Sequence, residues 1–172
     1  EFRTAVKDWI TRRYSLPPGI IESDRHVLPV AGTREALFAV ALLAVPTKKH
    51  RMRPTVLIPD PFYQIYSGAA IMAGAEPVYV PTTEETGFLP DFLALPADQL
   101  ERAVLAYLCS PSNPQGAVAS LNQLKAYVRL ARDLDFILAT DECYCEIYCG
   151  APPPGIIEAC ATDDGHLRNV IA

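Results

Sequence analysis

Lysine is scarce in this chain of 172 residues: Lys7, Lys48, Lys49 and Lys125 are all there are, and the net charge is −5. That balance leaves no basic stripe, which argues against a nucleic-acid or anionic-membrane surface. No run approaches the ~20 apolar residues of a membrane span. No charged segment followed by an apolar one marks secretion at the start. The five cysteines are odd in number and lack the spacing of a small disulfide scaffold, so a reducing cytoplasm is the simpler setting. His26, His50 and His166 are scattered and match no metal pattern. Neither GxGxxG nor GxxxxGK[ST] occurs, so an unrelated nucleotide-binding domain has no motif behind it.

What the chain does have is apolar content. Half of its residues are hydrophobic and the mean hydropathy is +0.12, enough for a sizeable core in one domain. Both ends look cut. Phe2, Ala5, Val6, Trp9 and Ile10 open at helical spacing with no cap before them, there is no initiator Met, and Asn169–Ala172 reads as half a strand. A piece of a longer protein is expected.

Strand and helix signals alternate between these ends. Residues 55–58, 77–80, 104–109 and 136–140 are short apolar runs that predict buried strands. Residues 36–44 and 63–73 read as helices, and Ser120 with Gln123 forms a capping box ahead of a helix whose face carries Leu121, Leu124, Val128 and Ala131. The order predicts an α/β fold, a mostly parallel sheet with helices on both faces.

In such sheets ligands bind beyond the carboxyl ends of the strands. There the sequence places Tyr63 in "PDPFYQIY", Asn113 in "SPSNPQG", and Asp141 and Tyr144 in "DECY"; "AGTREAL" puts Gly32, Thr33 and Arg34 at a helix start able to hold a phosphate. Taken singly, Asp141 is an ordinary strand-end acid, Asn113 a turn residue between prolines, and Tyr63 a core edge. Their shared edge is what makes them a constellation. Cys143, Cys145 and Cys149 follow C-x-C-x3-C, which is no zinc-ribbon spacing. With the strand continued, Cys143 and Cys145 would share a face with Asp141. Buried or half-buried free thiols are expected, and no metal site.

Together, "AGTREAL", "PFYQIYSGAAIMAGAEPVYV", "SPSNPQG" and "DECYCEIY" resemble the fold-type-I pyridoxal-phosphate enzymes, in the class I/II aminotransferase branch. Within it they look like N-succinyldiaminopimelate aminotransferases of bacterial lysine biosynthesis. The resemblance covers essentially the whole chain and implies pyridoxal 5'-phosphate as cofactor. It implies that Asp141 faces the pyridine nitrogen, that Tyr144 and Asn113 bond the ring's phenolic oxygen, and that Tyr63 stacks on the ring. It also implies that Gly32, Thr33 and Arg34 hold the phosphate. An amino acid (N-succinyl-LL-2,6-diaminopimelate or glutamate) and a 2-oxo acid are the implied substrates, and a homodimer of the full-length protein the implied assembly.

One element of the family pattern is absent. The family's Schiff-base lysine lies in a Ser-x-x-Lys-type segment one strand after the Asp, and the four lysines here all precede Asp141. Residues 1–172 are therefore expected to be an incomplete large cofactor-binding domain. The catalytic lysine would lie beyond Ala172, the N-terminal segment and C-terminal small domain would be missing, and the piece alone would be inactive. Another fold-type-I activity, of C–S lyase or cyclopropane-carboxylate synthase type, shares these motifs, as does a non-catalytic effector-binding module.

Overall fold

A computed structural model describes all residues, 1–172. In chain order the elements are α1 (Phe2–Arg13), α2 (Ser23–His26), α3 (Thr33–Ala44), β1 (Thr55–Asp60), α4 (Gln64–Met72) and β2 (Glu76–Pro81). A short 3-10 turn (Phe92–Ala94) leads to α5 (Ala97–Glu101), β3 (Ala103–Cys109), α6 (Leu121–Asp133), β4 (Ile137–Asp141), α7 (Ile156–Asp163) and β5 (Val170–Ile171). The strands form one sheet in the order β2-β1-β3-β4-β5, and every pairing is parallel.

Alternation along each strand feeds two cores. On one face Val56, Ile58 and Tyr107 pack with Ala41 of α3 and Tyr66, Ala69 and Ala70 of α4. On the other, Leu57, Ala106, Leu108 and Leu138 pack with Leu124, Val128 and Ala131 of α6 and Ile156 and Ala159 of α7. Because both faces are covered, β3 is buried at all seven positions, which is why its sequence is an unbroken apolar run. Truncating a side chain such as Leu105 or Leu108 to Ala would cost ~2–5 kcal/mol.

The amino end of the sheet is closed by a cation. Lys49 Nζ donates to the carbonyls of Ala103 (2.6 Å), Leu134 (2.6 Å) and Asp135 (2.9 Å). Leu134 follows the last turn of α6, where a positive charge complements the helix dipole. Burial lowers the Lys49 pKa, with Asp135 opposing.

The carboxyl end is open. Chain order reverses between neighbours β1 and β3, since the chain leaves β1 for β2 on one side and returns to β3 on the other. The loops beyond these two strands part there, and a crevice results.

Candidate active site

The crevice is a cavity of about 300 Å³. Six of the seven residues singled out in the sequence line it: Thr33, Arg34, Tyr63, Asn113, Asp141 and Tyr144. Gly32 does not, but it stands beside Thr33 as the residue capping α3.

Asp141 is the last residue of β4, level with Cys109 of β3. Its Oδ2 accepts a hydrogen bond of 2.8 Å from the hydroxyl of Tyr66. Tyr66 comes from α4, is 1% exposed, and stacks on Tyr107 of β3 with centroids 4.4 Å apart and planes 9° from parallel. The Tyr107 hydroxyl in turn donates to the Leu37 carbonyl of α3 at 2.6 Å. Burial, followed by the charge of Asp141, raises the Tyr66 pKa far above its ordinary value, so this phenol is a neutral donor at any physiological pH. Sequence reasoning missed Tyr66. The signal it left was its position three residues after Tyr63, on the same side of a helix.

Tyr63 precedes α4 and meets Tyr66 edge to face, centroids 5.9 Å apart. Its hydroxyl accepts from Arg34 Nε at 2.8 Å, so the aromatic wall and the start of α3 are joined. Asn113 Nδ2 donates to the Tyr144 hydroxyl at 3.3 Å. An amide and a phenol that close together can converge on one shared acceptor.

At α3, Gly32 supplies no side-chain cap, and the first amides of a helix have no intrahelical partner. A Cβ at Gly32 would collide with the Oε2 of Glu35. The chain's own carboxylate therefore leans over the helix start, where negative charge is favoured.

The turn after Asp141 is tied down from behind. Glu142 accepts from the Tyr14 hydroxyl (2.8 Å) and from the Ile156 amide that opens α7 (2.7 Å). A Cβ on Gly155 would sit 2.8 Å from Glu142 Oε2 and closer still to the Tyr14 ring, so the knot closes only around a glycine. Arg13 adds bonds to the carbonyls of Cys145 (2.9 Å) and Pro153 (3.1 Å). Burial raises the Glu142 pKa, and its hydrogen-bond donors oppose the shift.

Two expectations about the cysteines are corrected. β4 ends at Asp141 and the chain turns at once, with the Cys145 amide bonding the Glu142 carbonyl at 2.9 Å. Cys143 and Cys145 are therefore not on a continued strand, and the parity argument does not apply. All five cysteines are free thiols, but Cys143 and Cys149 are exposed, and only Cys109 and Cys160 are buried. Local burial and the charge of Asp141 push Cys143 up to about 12, which keeps it a neutral, poorly nucleophilic thiol.

An open parallel sheet thus brings an acid, an amide, phenols and a helix start to one crevice. The family model for aminotransferase class I and II matches residues 1–170, and the chain belongs to that family. Its sequence is 36% identical over 159 residues to the LL-diaminopimelate aminotransferase of Moorella thermoacetica, covering 92% of this chain and 39% of that protein. An aminotransferase from Neisseria meningitidis superposes with a TM-score of 0.88 at 34% identity, covering 98% of this chain and 42% of that one. The "probable N-succinyldiaminopimelate aminotransferase" of Thermus thermophilus superposes at 0.79 with 26% identity, over 91% of this chain and 40% of that one. The chain thus spans about two fifths of the length of the relatives it matches.

Proposed function

We propose that residues 1–172 form the greater part of the cofactor cradle of a pyridoxal 5'-phosphate-dependent aminotransferase, acting in the cytoplasm on a diaminopimelate-type amino acid and a 2-oxo acid. The observation that carries this reading is the convergence of Asp141, Asn113, Tyr144, Tyr63 and the start of α3 on one cavity. The donor set suits that cofactor: a carboxylate for a basic ring nitrogen, two donors for a phenolic oxygen, an aromatic face for a flat ring, and helix amides for a phosphate. When bound, pyridoxal phosphate supplies an electron sink for the carbanion formed at the substrate's α-carbon.

The protein's residues supply position and charge. Asp141 would hold the ring nitrogen protonated. Tyr144 and Asn113, already within reach of each other, would both bond the phenolic oxygen. Tyr63 would fix the ring plane, its hydroxyl steadied by Arg34. Gly32, Thr33 and Arg34 would present amides to the phosphate, with Glu35 swinging aside. No lysine lines the cavity, so the covalent amine of the family would come from outside these residues, along with a small domain that completes the substrate site. The exposed Leu42, Leu43, Ile71 and Met72 on α3 and α4 support a homodimer of the full-length protein.

Titrating the protein with pyridoxal phosphate and following its absorbance tests the cradle. Saturable binding is expected, weakened ~10–100-fold in Asp141→Asn through loss of a charge-assisted hydrogen bond. Equal affinity in both proteins would overturn the assignment of Asp141.

A further inference from the structure

We propose that Tyr66 is a positioning residue for Asp141: it holds one carboxylate oxygen, aims the other into the cavity, and so keeps the shared proton on the cofactor's ring nitrogen rather than on the acid. The inference rests on the cofactor reading above and adds to it a residue at the back of the cavity, behind Asp141.

The geometry carries the argument. The Tyr66 hydroxyl donates to Asp141 Oδ2 at 2.8 Å, which leaves Oδ1 as the oxygen that Tyr66 does not take. The donor cannot swing away, because its ring is buried and stacked on Tyr107 at 4.4 Å. Tyr107 is itself fastened to the Leu37 carbonyl of α3. The acid is thus braced, through two rings, against the helix whose start is assigned to the phosphate.

Chemistry gives the brace a direction. A donor to a carboxylate stabilises its charged form over its neutral form. In a pair formed by Asp141 and a ring nitrogen, that bias leaves the proton on nitrogen. The other titratable groups around Asp141 are Cys109 from β3 and Cys143 and Tyr144 from the following turn, with Arg34 across the cavity. Burial holds Cys109 at about 11, and loss of solvent around the thiol together with the charge of Asp141 holds Cys143 at about 12, so neither changes charge near neutrality. Tyr66 is then the uncharged donor that decides where the proton rests.

The test uses pyridoxal phosphate labelled with 15N in the ring and bound to the protein, because the 15N shift distinguishes pyridinium from neutral pyridine. The protein is expected to show a pyridinium signal near neutral pH. Tyr66→Phe keeps the stacked ring and removes only the hydroxyl, and its signal is expected to move toward neutral pyridine. The loss should amount to about one pH unit of nitrogen basicity. Tyr107→Phe, which spares the Tyr66 hydroxyl, is expected to keep the pyridinium signal. A folded Tyr66→Phe protein that binds the cofactor with an unchanged 15N shift would overturn the role of Tyr66 and leave the cofactor site standing. Failure of the unsubstituted protein to bind pyridoxal phosphate would overturn the site itself, and this inference with it. A measurement without any Tyr66 variant guards against misfolding. The phenolic proton of Tyr66 should give a slowly exchanging downfield NMR signal that is lost in Asp141→Ala, and its absence from the unsubstituted protein would equally refute the brace.

Discussion

Residues that meet across long stretches of sequence decide the behaviour of the site, and Gly155 shows how narrow the tolerance is. A methyl group there would fall between the Tyr14 ring and Glu142. Gly155→Ala is expected to lower the unfolding free energy by ~1–3 kcal/mol through overpacking, read as a fall in the urea midpoint. Glu142 sets a pH dependence of its own. Its folded pKa is raised, chiefly by burial. From the ordinary carboxylate value of ~4.3 up to that raised value, the unfolded chain sheds a proton that the folded one keeps. Stability is therefore lost as pH rises through this window and is flat above it. Urea titrations at several pH values should show the advantage over Glu142→Gln shrinking across the same window. That Asp141, Asn113, Tyr63 and Tyr144 meet at one edge of the sheet was legible in the sequence, because each follows a strand or opens a helix. Tyr66 was not, because its partner lies 75 positions away and no local pattern records such a pairing. The Tyr14–Glu142 bond, spanning 128 positions, was hidden for the same reason.

Elements were easier to read where one local rule dominated. The capping box of α6 is formed as expected, with Ser120 accepting from the Gln123 amide and the Gln123 side chain returning to the Ser120 amide. Ser120→Ala is expected to cost ~1 kcal/mol, seen as a lower thermal midpoint with cofactor affinity unchanged. Strands β1 to β4 fall within a residue or two of the apolar runs that announced them. Helix α7 leaves little local signal. Its eight residues follow a proline-rich stretch and a glycine, and its first amide is satisfied by Glu142 rather than by a neighbour. The end of β4 departs from expectation because Cys143, Tyr144 and Cys145 suit a strand well enough, while the long-range bonds of Glu142 and Arg13 pull the chain into a turn.

At the scale of the whole molecule, the two ends of the sheet are finished differently: the amino end is closed by Lys49, and the carboxyl end opens into the cavity proposed for the cofactor. Pyridoxal phosphate is an aldehyde and reacts with any free amine, so the placement of the four lysines matters. Lys48 is exposed, Lys7 pairs with Asp8, and Lys125 donates to the Thr162 carbonyl at 3.0 Å. Borohydride trapping followed by peptide mapping should find substoichiometric adducts, Lys48 first, and no single lysine fully labelled. Stoichiometric labelling of one of the four would show that an amine of this chain reaches the cofactor. Lys49 is a different kind of group. Its amine is engaged by three carbonyls at once, and it must leave all three before a reagent can take it. Its modification rate is accordingly a clock for the release of those three bonds, a local event at the opposite end of the sheet from the cavity.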